Sequence, residues 1–149
     1  MNQKYKILLF LITILIDLFV IGLWYFKNDD FTFWDKFFSV FIFCSHIPFY
    51  IALLTENRLL LDFLHFMMFL CMLFVFVIEN IGLIFLSLLF VLGLQIQWNL
   101  FNVCILNSEQ QNIDRNFGYS KITSISALFY TCYVCFKLGY LSSINIQKN

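Results

Sequence analysis

Few side chains in this sequence are ionisable, and several of those few fall inside long apolar runs. Asp17 lies in the first run, His46 in the second, and Asp62, His65 and Glu79 follow in the third. An ionisable group at membrane depth costs about 2.5 kcal/mol or more, so each such residue is a candidate functional residue. From this set we predict a proton path that uses Glu79, Asp62, His65 and His46.

Glu79 is the most informative of these residues. A carboxyl group at low dielectric can alternate between protonated and ionised states, which is the property that a proton relay needs. The alternative is that Glu79 and Asn80 form a turn at a membrane surface. Hydropathy by itself leaves both interpretations open.

The two histidines form a second candidate site. His46 and His65 lie at comparable distances from the polar link Thr55-Glu56-Asn57-Arg58, so antiparallel helices would bring them to similar depth. Two imidazoles could hold a b-type haem, and with Asp62 one turn from His65 they could bind a metal or relay protons. The alternative is that each histidine only hydrogen-bonds a neighbouring helix. Two histidines are a weak signal, so we expect neither a cofactor nor a metal.

A pair of cysteines near the carboxyl end carries a third hypothesis. Cys132 and Cys135 form a C-x-x-C motif, a spacing found in thiol oxidoreductases. The vitamin K epoxide reductases, whose final helix has this spacing, also need a second cysteine pair in a sizeable loop domain, whereas Cys44, Cys71 and Cys104 fall in separate apolar segments. Cysteines distributed in this way are more typical of small packing residues. Because phosphate-binding loops, H-E-x-x-H and the nucleophile elbow are also missing, we expect no catalytic site of the chain's own.

The composition identifies the elements that must position these residues. Of the 149 residues, 62% are hydrophobic and only 12% are charged, and the mean hydropathy is +0.86. These values are outside the range of soluble domains and predict an integral membrane protein. The formal net charge is zero, so nucleic acid is not an expected partner.

The apolar runs predict an all-α fold. A membrane-spanning helix needs about 20 mostly apolar residues. We therefore predict one transmembrane domain over residues 1–149, a bundle of four helices with spans at about 6–26, 37–54, 61–92 and 122–140. The region 59–106 is long enough to form two spans instead, with the turn at Glu79, and the bundle would then have five. Pro48 should kink the second helix without ending it.

One short segment resembles a known family. Val77-Ile78-Glu79-Asn80-Ile81-Gly82-Leu83 is similar to the third helix of chain 4L of NADH:ubiquinone oxidoreductase, in which a mid-membrane Glu is followed closely by Ile-Gly-Leu or Val-Gly-Leu. The resemblance extends back over roughly the first two-thirds of the chain. It implies a divergent membrane-arm subunit of respiratory complex I, in which Glu79 supplies a buried carboxylate to proton translocation and the subunit binds neither NADH nor quinone.

The same resemblance implies a location and partners. The partners would be other membrane subunits of a large respiratory complex, together with lipid, in the mitochondrial inner membrane. An abundance of Phe, Ile, Asn, Lys and Tyr is typical of an AT-rich gene and fits synthesis inside the organelle. Two alternatives stay open, a structural or accessory transmembrane subunit of a respiratory complex and a small membrane thiol oxidoreductase that uses Cys132 and Cys135.

Overall fold

The computed structural model describes residues 3–101 and 119–148, and every secondary-structure element in these ranges is helical. The α-helices are α1 Gln3–Lys27, α2 Phe33–Thr55, α3 Arg58–Leu73, α4 Ile81–Phe101 and α5 Tyr119–Lys148. Short 3₁₀ turns follow α1 at Asn28–Asp30 and α3 at Phe74–Phe76. The prediction of an all-α fold is confirmed for this part of the chain. The helices divide into two units, Met1–Leu83 and Ile84–Asn149.

A capping box sets the start of α2. Thr32 is the N-cap, its hydroxyl oxygen accepts from the Asp35 amide at 3.3 Å, and Asp35 Oδ2 accepts from the Thr32 amide at 2.9 Å. These bonds satisfy amide groups that the first turn of a helix leaves without a carbonyl partner. The helix therefore begins at Phe33, four residues before the predicted start of the span at residue 37. It then continues through Pro48 to Thr55.

The tight link between α2 and α3 depends on two residues. Glu56 takes the left-handed conformation, with φ 54° and ψ 31°, and its amide donates to the Ala52 carbonyl, as in helix C-caps. Asn57 then caps α3, because its side-chain oxygen accepts from the Leu60 amide at 3.2 Å. α3 therefore turns back along α2 after only two non-helical residues.

α2 is the central helix of the first unit, and it packs against both α1 and α3. The Phe74 ring lies against three rings of α2, with centroid distances of 5.7 Å to Phe37, 5.3 Å to Phe38 and 5.5 Å to Phe41. The buried apolar side chains of this unit are Val20, Phe31, Phe38, Ile42, Phe49, Ala52, Leu53, Leu61, Leu64, Val75, Ile78 and Leu83. The first three helices thus share one core.

The region predicted as one helix over 61–92 is divided. α3 ends at Leu73, the 3₁₀ turn follows, and α4 begins at Ile81, so that Val77 to Asn80 form a non-helical link. The physical reason is that the link amides bond outside the helix, to the carboxylate of Asp35. The Asn80 side chain then accepts from the Leu83 amide at 3.2 Å and caps α4.

Three helices are long and apolar enough to cross a membrane within the described residues: Lys6–Lys27, Phe33–Thr55 and Ile125–Ile144. They correspond to the first, second and last predicted spans. α4 contributes a shorter apolar stretch, Ile81–Gly93. Large apolar side chains on these helices face outward, which an ordinary soluble monomer rarely tolerates over so wide a surface. The chain is therefore a multi-pass membrane protein.

Candidate functional site

The candidate site lies where α1 and α2 face each other, and its first residue is Asp17. Asp17 stands midway between Lys6 and Lys27, the ends of the first candidate span. Thr13 and Val20, one turn away on either side, are buried and mark the face of α1 that packs inward. Thr13 satisfies its own hydroxyl, which donates to the Leu9 carbonyl at 2.8 Å. Asp17 is thus the ionisable group of this inward face.

Two side chains of α2 hold the Asp17 carboxylate. His46 Nδ1 lies 2.6 Å from Asp17 Oδ1, and the Tyr50 hydroxyl donates to Asp17 Oδ2 at 2.8 Å. His46 and Tyr50 are four residues apart, so the helix brings both to one face. The side chains of Asp17 and His46 are each 19% exposed. We call Asp17, His46 and Tyr50 the mid-span triad.

The distances define what this triad can do chemically. The 2.6 Å contact between the carboxylate and the imidazole is a short hydrogen bond, just below the about 2.7–2.9 Å typical of charge-assisted N–H···O bonds. The Tyr50 phenol donates to the other oxygen of Asp17, so both carboxylate oxygens have a partner on α2. The arrangement is therefore suited to proton transfer inside the membrane.

Pro48 gives α2 a local irregularity beside the triad. Proline has no amide hydrogen, so the Cys44 carbonyl lacks its usual partner four residues later in the helix. Phe10 of α1 packs on the other side, with its ring centroid 4.9 Å from that of Tyr50. The triad is thus flanked by a helix turn that lacks one backbone bond and by an aromatic contact that orients the Tyr50 phenol.

The carboxylate of Asp35 connects two segments of the first unit through hydrogen bonds. It is fully buried, and its Oδ2 accepts from the Thr32 amide at 2.9 Å and from the Thr32 hydroxyl at 2.8 Å. Its Oδ1 accepts from the amides of Glu79 and Asn80 at 2.9 and 3.0 Å. All four donors point at one carboxylate, so Asp35 ties the start of α2 to the link before α4.

Glu79 lies outside any helix. Its side chain is exposed, and its backbone amide is the part of the residue that bonds to Asp35. Because Asp35 is in the first turn of α2, the Glu79 link lies level with the start of the candidate span Phe33–Thr55. This is the position that the turn alternative predicts, and it differs from the helix interior implied by the family resemblance. The reason is the backbone capture by Asp35, which hydropathy does not reveal.

Two of the predicted site residues, Asp62 and His65, belong to α3, but their side chains lie outside the described residues. A meeting of His46 with His65 therefore stays a prediction. Among the described residues no group of His, Cys, Asp and Glu side chains could hold a metal ion. His46 bonds to Asp17.

The cysteines of the described residues fall on separate helices, apart from the C-x-x-C pair. Cys132 and Cys135 are exposed on α5 with free thiols, Cys44 is exposed on α2, and Cys71 is half-buried on α3. Cys104 lies outside the described residues. A redox role for Cys132 and Cys135 stays a prediction.

Tyr50 and Asp35 are not among the residues predicted from the sequence, although the spacing of each residue from a neighbour could have indicated its role. Tyr50 follows His46 by four residues, the spacing at which one helix face presents both groups. Asp35 follows Thr32 by three residues, as in the capping box. Asp17 was recognised as an intramembrane acid, but only the packing of α1 against α2 gives it partners.

Comparison with protein-family models, with curated proteins and with solved structures finds no match to this chain. The resemblance to chain 4L of NADH:ubiquinone oxidoreductase stays a prediction drawn from Val77 to Leu83.

Proposed function

We propose that this chain is a membrane subunit that contributes a proton-exchange site, formed by Asp17, His46 and Tyr50, to a proton-translocating complex. The observation that carries the proposal is the 2.6 Å contact between His46 and Asp17 on two helices that can cross a membrane. Asp17 lies midway along its span, and His46 lies just past the middle of Phe33–Thr55. The triad would therefore lie near the middle of the bilayer.

The energetic argument favours a functional role for the triad. An acid at the centre of a membrane helix costs about 2.5–3.5 kcal/mol on insertion scales, and intramembrane ionisable residues are usually kept for proton or ion transfer. Neutral amides would satisfy the packing of α1 on α2 at a lower desolvation cost. The combination of an acid, an imidazole and a phenol offers protonation changes that amides lack.

We also propose five membrane crossings. α3 and the 3₁₀ turn that follows it run back along the length of α2, from the Glu56-Asn57 link to the contact of Phe74 with Phe37 and Phe38. The Glu79 link then lies at the end where α2 began. Because α3 returns along α2 and is separated from α4 by this link, we propose α1, α2, α3, α4 and α5 as separate spans instead of the four-span interpretation.

The proposed host is the membrane arm of respiratory complex I, in the mitochondrial inner membrane. The support is the resemblance of Val77 to Leu83 to chain 4L, which remains the only indication of a host. Because Glu79 lies in a link and not in the helix that the resemblance implies, the host rests on the sequence likeness of this segment alone, and the buried carboxylate of the proposal is Asp17. Other membrane subunits of that complex and lipid would be the partners, and NADH and quinone would bind elsewhere.

The test uses the chain in its own membrane complex. The complex is purified through a tag on this chain and assayed for NADH:ubiquinone oxidoreductase activity and for proton uptake after reconstitution. Asp17→Asn should abolish proton uptake while assembly is retained, and the exposed Asp29→Asn at the end of α1 should leave both unchanged. Full proton uptake by the Asp17→Asn complex would refute the site, and absence of NADH oxidation from the purified complex would refute the host alone.

A structural or accessory subunit is the second candidate, and a specific observation favours it. Large apolar side chains face outward on several helices, with exposed fractions of 64% for Leu15, 72% for Phe33, 72% for Phe129 and 73% for Phe136. Such surfaces suit contact with lipid or with other membrane helices. For this candidate Asp17→Asn should lower the yield of assembled complex and leave the proton uptake per assembled complex unchanged.

A further inference from the structure

A groove opens between the start of α1 and the end of α2. It has a volume of about 500 Å³, and its walls include Ile7, Phe10, Leu11 and Leu54, with Leu53 buried beneath. Exposed fractions of 55% for Ile7, 52% for Leu11 and 69% for Leu54 leave these apolar walls accessible from the surroundings of the helix pair. The groove is thus apolar, open, and in the size range of small-molecule sites.

An ion pair stands at the rim of this groove. Lys6 Nζ donates to Glu56 Oε1 at 3.0 Å, and both residues line the groove. Lys6 is the first residue of the first candidate span, and Glu56 directly follows Thr55, the last residue of the second. The charged rim therefore lies at the level where the headgroups of a bilayer begin, and the apolar walls lie at the level of the acyl chains.

The two charges differ in exposure. The side chain of Lys6 is 24% exposed, whereas that of Glu56 is 58% exposed, so the cation is more enclosed by the groove and the anion is more open to the surroundings. In a phospholipid the phosphate is next to the glycerol and the acyl chains, and any amine of the headgroup lies beyond it. Phosphate at Lys6 with an ammonium group at Glu56 would match this order.

We propose that this groove binds one phospholipid with an ethanolamine headgroup. Its acyl chain would lie along Phe10, Leu11 and Leu54, its phosphate would accept hydrogen bonds from Lys6, and its primary ammonium would donate to Glu56. Choline has no N–H to donate, and glycerol carries no positive charge, so both headgroups fit the rim less well. The proposal is independent of proton exchange at the mid-span triad, because a chain with an inactive triad would still bind this lipid.

The test is a competition among lipids. The full-length chain, purified in detergent, is mixed with equal amounts of phosphatidylethanolamine, phosphatidylcholine and phosphatidylglycerol that carry identical acyl chains, and bound lipid is measured by native mass spectrometry. We expect phosphatidylethanolamine to exceed each of the others about fivefold, the ratio that about 1 kcal/mol of additional charge-assisted hydrogen bonding produces. Equal occupancy by the three lipids would overturn the proposal.

The decisive variant exchanges the two charges. Lys6→Glu combined with Glu56→Lys keeps an ion pair between α1 and α2 but places the anion next to the phosphate position, so the preference for phosphatidylethanolamine should disappear. The matched control is the exposed pair at the other end of α1, Lys27 with Asp30 at 3.7 Å, whose exchange should leave the preference unchanged. Retention of the preference by the Lys6 and Glu56 exchange would contradict the assignment.

A second variant tests the apolar part of the groove by itself. Leu54→Trp places a larger side chain in the groove and leaves both charges in place. The bound amount of all three lipids should fall together, and a comparison of melting temperatures with the wild-type chain establishes that the helices remain packed. Undiminished binding of phosphatidylethanolamine by a folded Leu54→Trp chain would overturn the proposal.

Discussion

Removal of the Asp35 carboxylate should destabilise the first unit more than any other single polar substitution in it. The carboxylate is fully buried and accepts four hydrogen bonds, two from Thr32 and two from the amides of Glu79 and Asn80. In Asp35→Ala the two part-buried link amides lose their acceptor, and a donor that is left unsatisfied out of reach of water costs about 1–3 kcal/mol. With the lost cap of α2, we expect a decrease of about 3–5 kcal/mol in the free energy of unfolding.

Asp35→Asn should have an intermediate effect. The amide oxygen of Asn can accept from Thr32 or from the link, but its nitrogen would then face the other pair of donors. We expect about half of the loss seen for Asp35→Ala, because one of the two donor pairs keeps its acceptor. A comparison of the free energies of unfolding with Asp, Asn and Ala at position 35 therefore separates the contributions of the two donor pairs, and the apolar surface of α2 is unchanged.

The assay combines global and local measurements. Unfolding of the chain in detergent micelles gives the free-energy change, and hydrogen exchange gives the protection of the Glu79 and Asn80 amides, which should decrease sharply in Asp35→Ala. The control is Asp30→Ala, in the turn that follows α1. Asp30 forms an exposed ion pair with Lys27, and this pair should contribute less than about 1 kcal/mol to stability. If Asp35→Ala changed stability no more than this control and left both amides protected, the proposed tie between α2 and the link would be refuted.

Two further predictions concern contacts of α1. Tyr50→Phe removes one hydrogen bond to Asp17 and should lower stability by about 1–2 kcal/mol, because the acceptor is a partly buried carboxylate; an equal stability of the two chains in detergent unfolding would show that the phenol is not bonded there. In Gly82→Ala the added methyl group would lie 2.7 Å from Leu23 Cδ2, so the end of the Leu23 side chain must shift, and this shift should offset most of the about 1 kcal/mol by which Ala is favoured over Gly in a helix. In a Leu23→Ala background the full gain in stability should appear, and an equal effect of Gly82→Ala in both backgrounds would contradict the contact.

The sequence determined the class of the protein and most of its helices. Long apolar runs with few charges require helices that satisfy their own backbone groups, and they predict the first, second and last spans close to where the structure has them. The polar link Thr55 to Arg58 is also readable, because four polar residues interrupt the apolar sequence there and Asn57 is a typical N-cap residue. These features are local, so the order of residue types is enough to reveal them.

The division of the region 61–92 depends on the tertiary structure. Its residues are apolar almost throughout, and hydropathy therefore favours one long helix as much as two. The break is made by Asp35, more than forty residues earlier, whose carboxylate takes the amides of Glu79 and Asn80. A single sequence does not reveal a hydrogen bond between a side chain and distant backbone amides.

For the mid-span triad, too, the sequence determines the residue types and the tertiary structure determines their contacts. The sequence by itself determined that Asp17 and His46 are ionisable groups inside apolar helices, since residue type and hydropathy are sufficient for that conclusion. Only the packing of α1 against α2 decided that Asp17 bonds to His46 and Tyr50, and that Glu79 lies in a link at the end of a span. The physical reason is that apolar helices pack equally well in many rotations, and the few polar contacts between them select one.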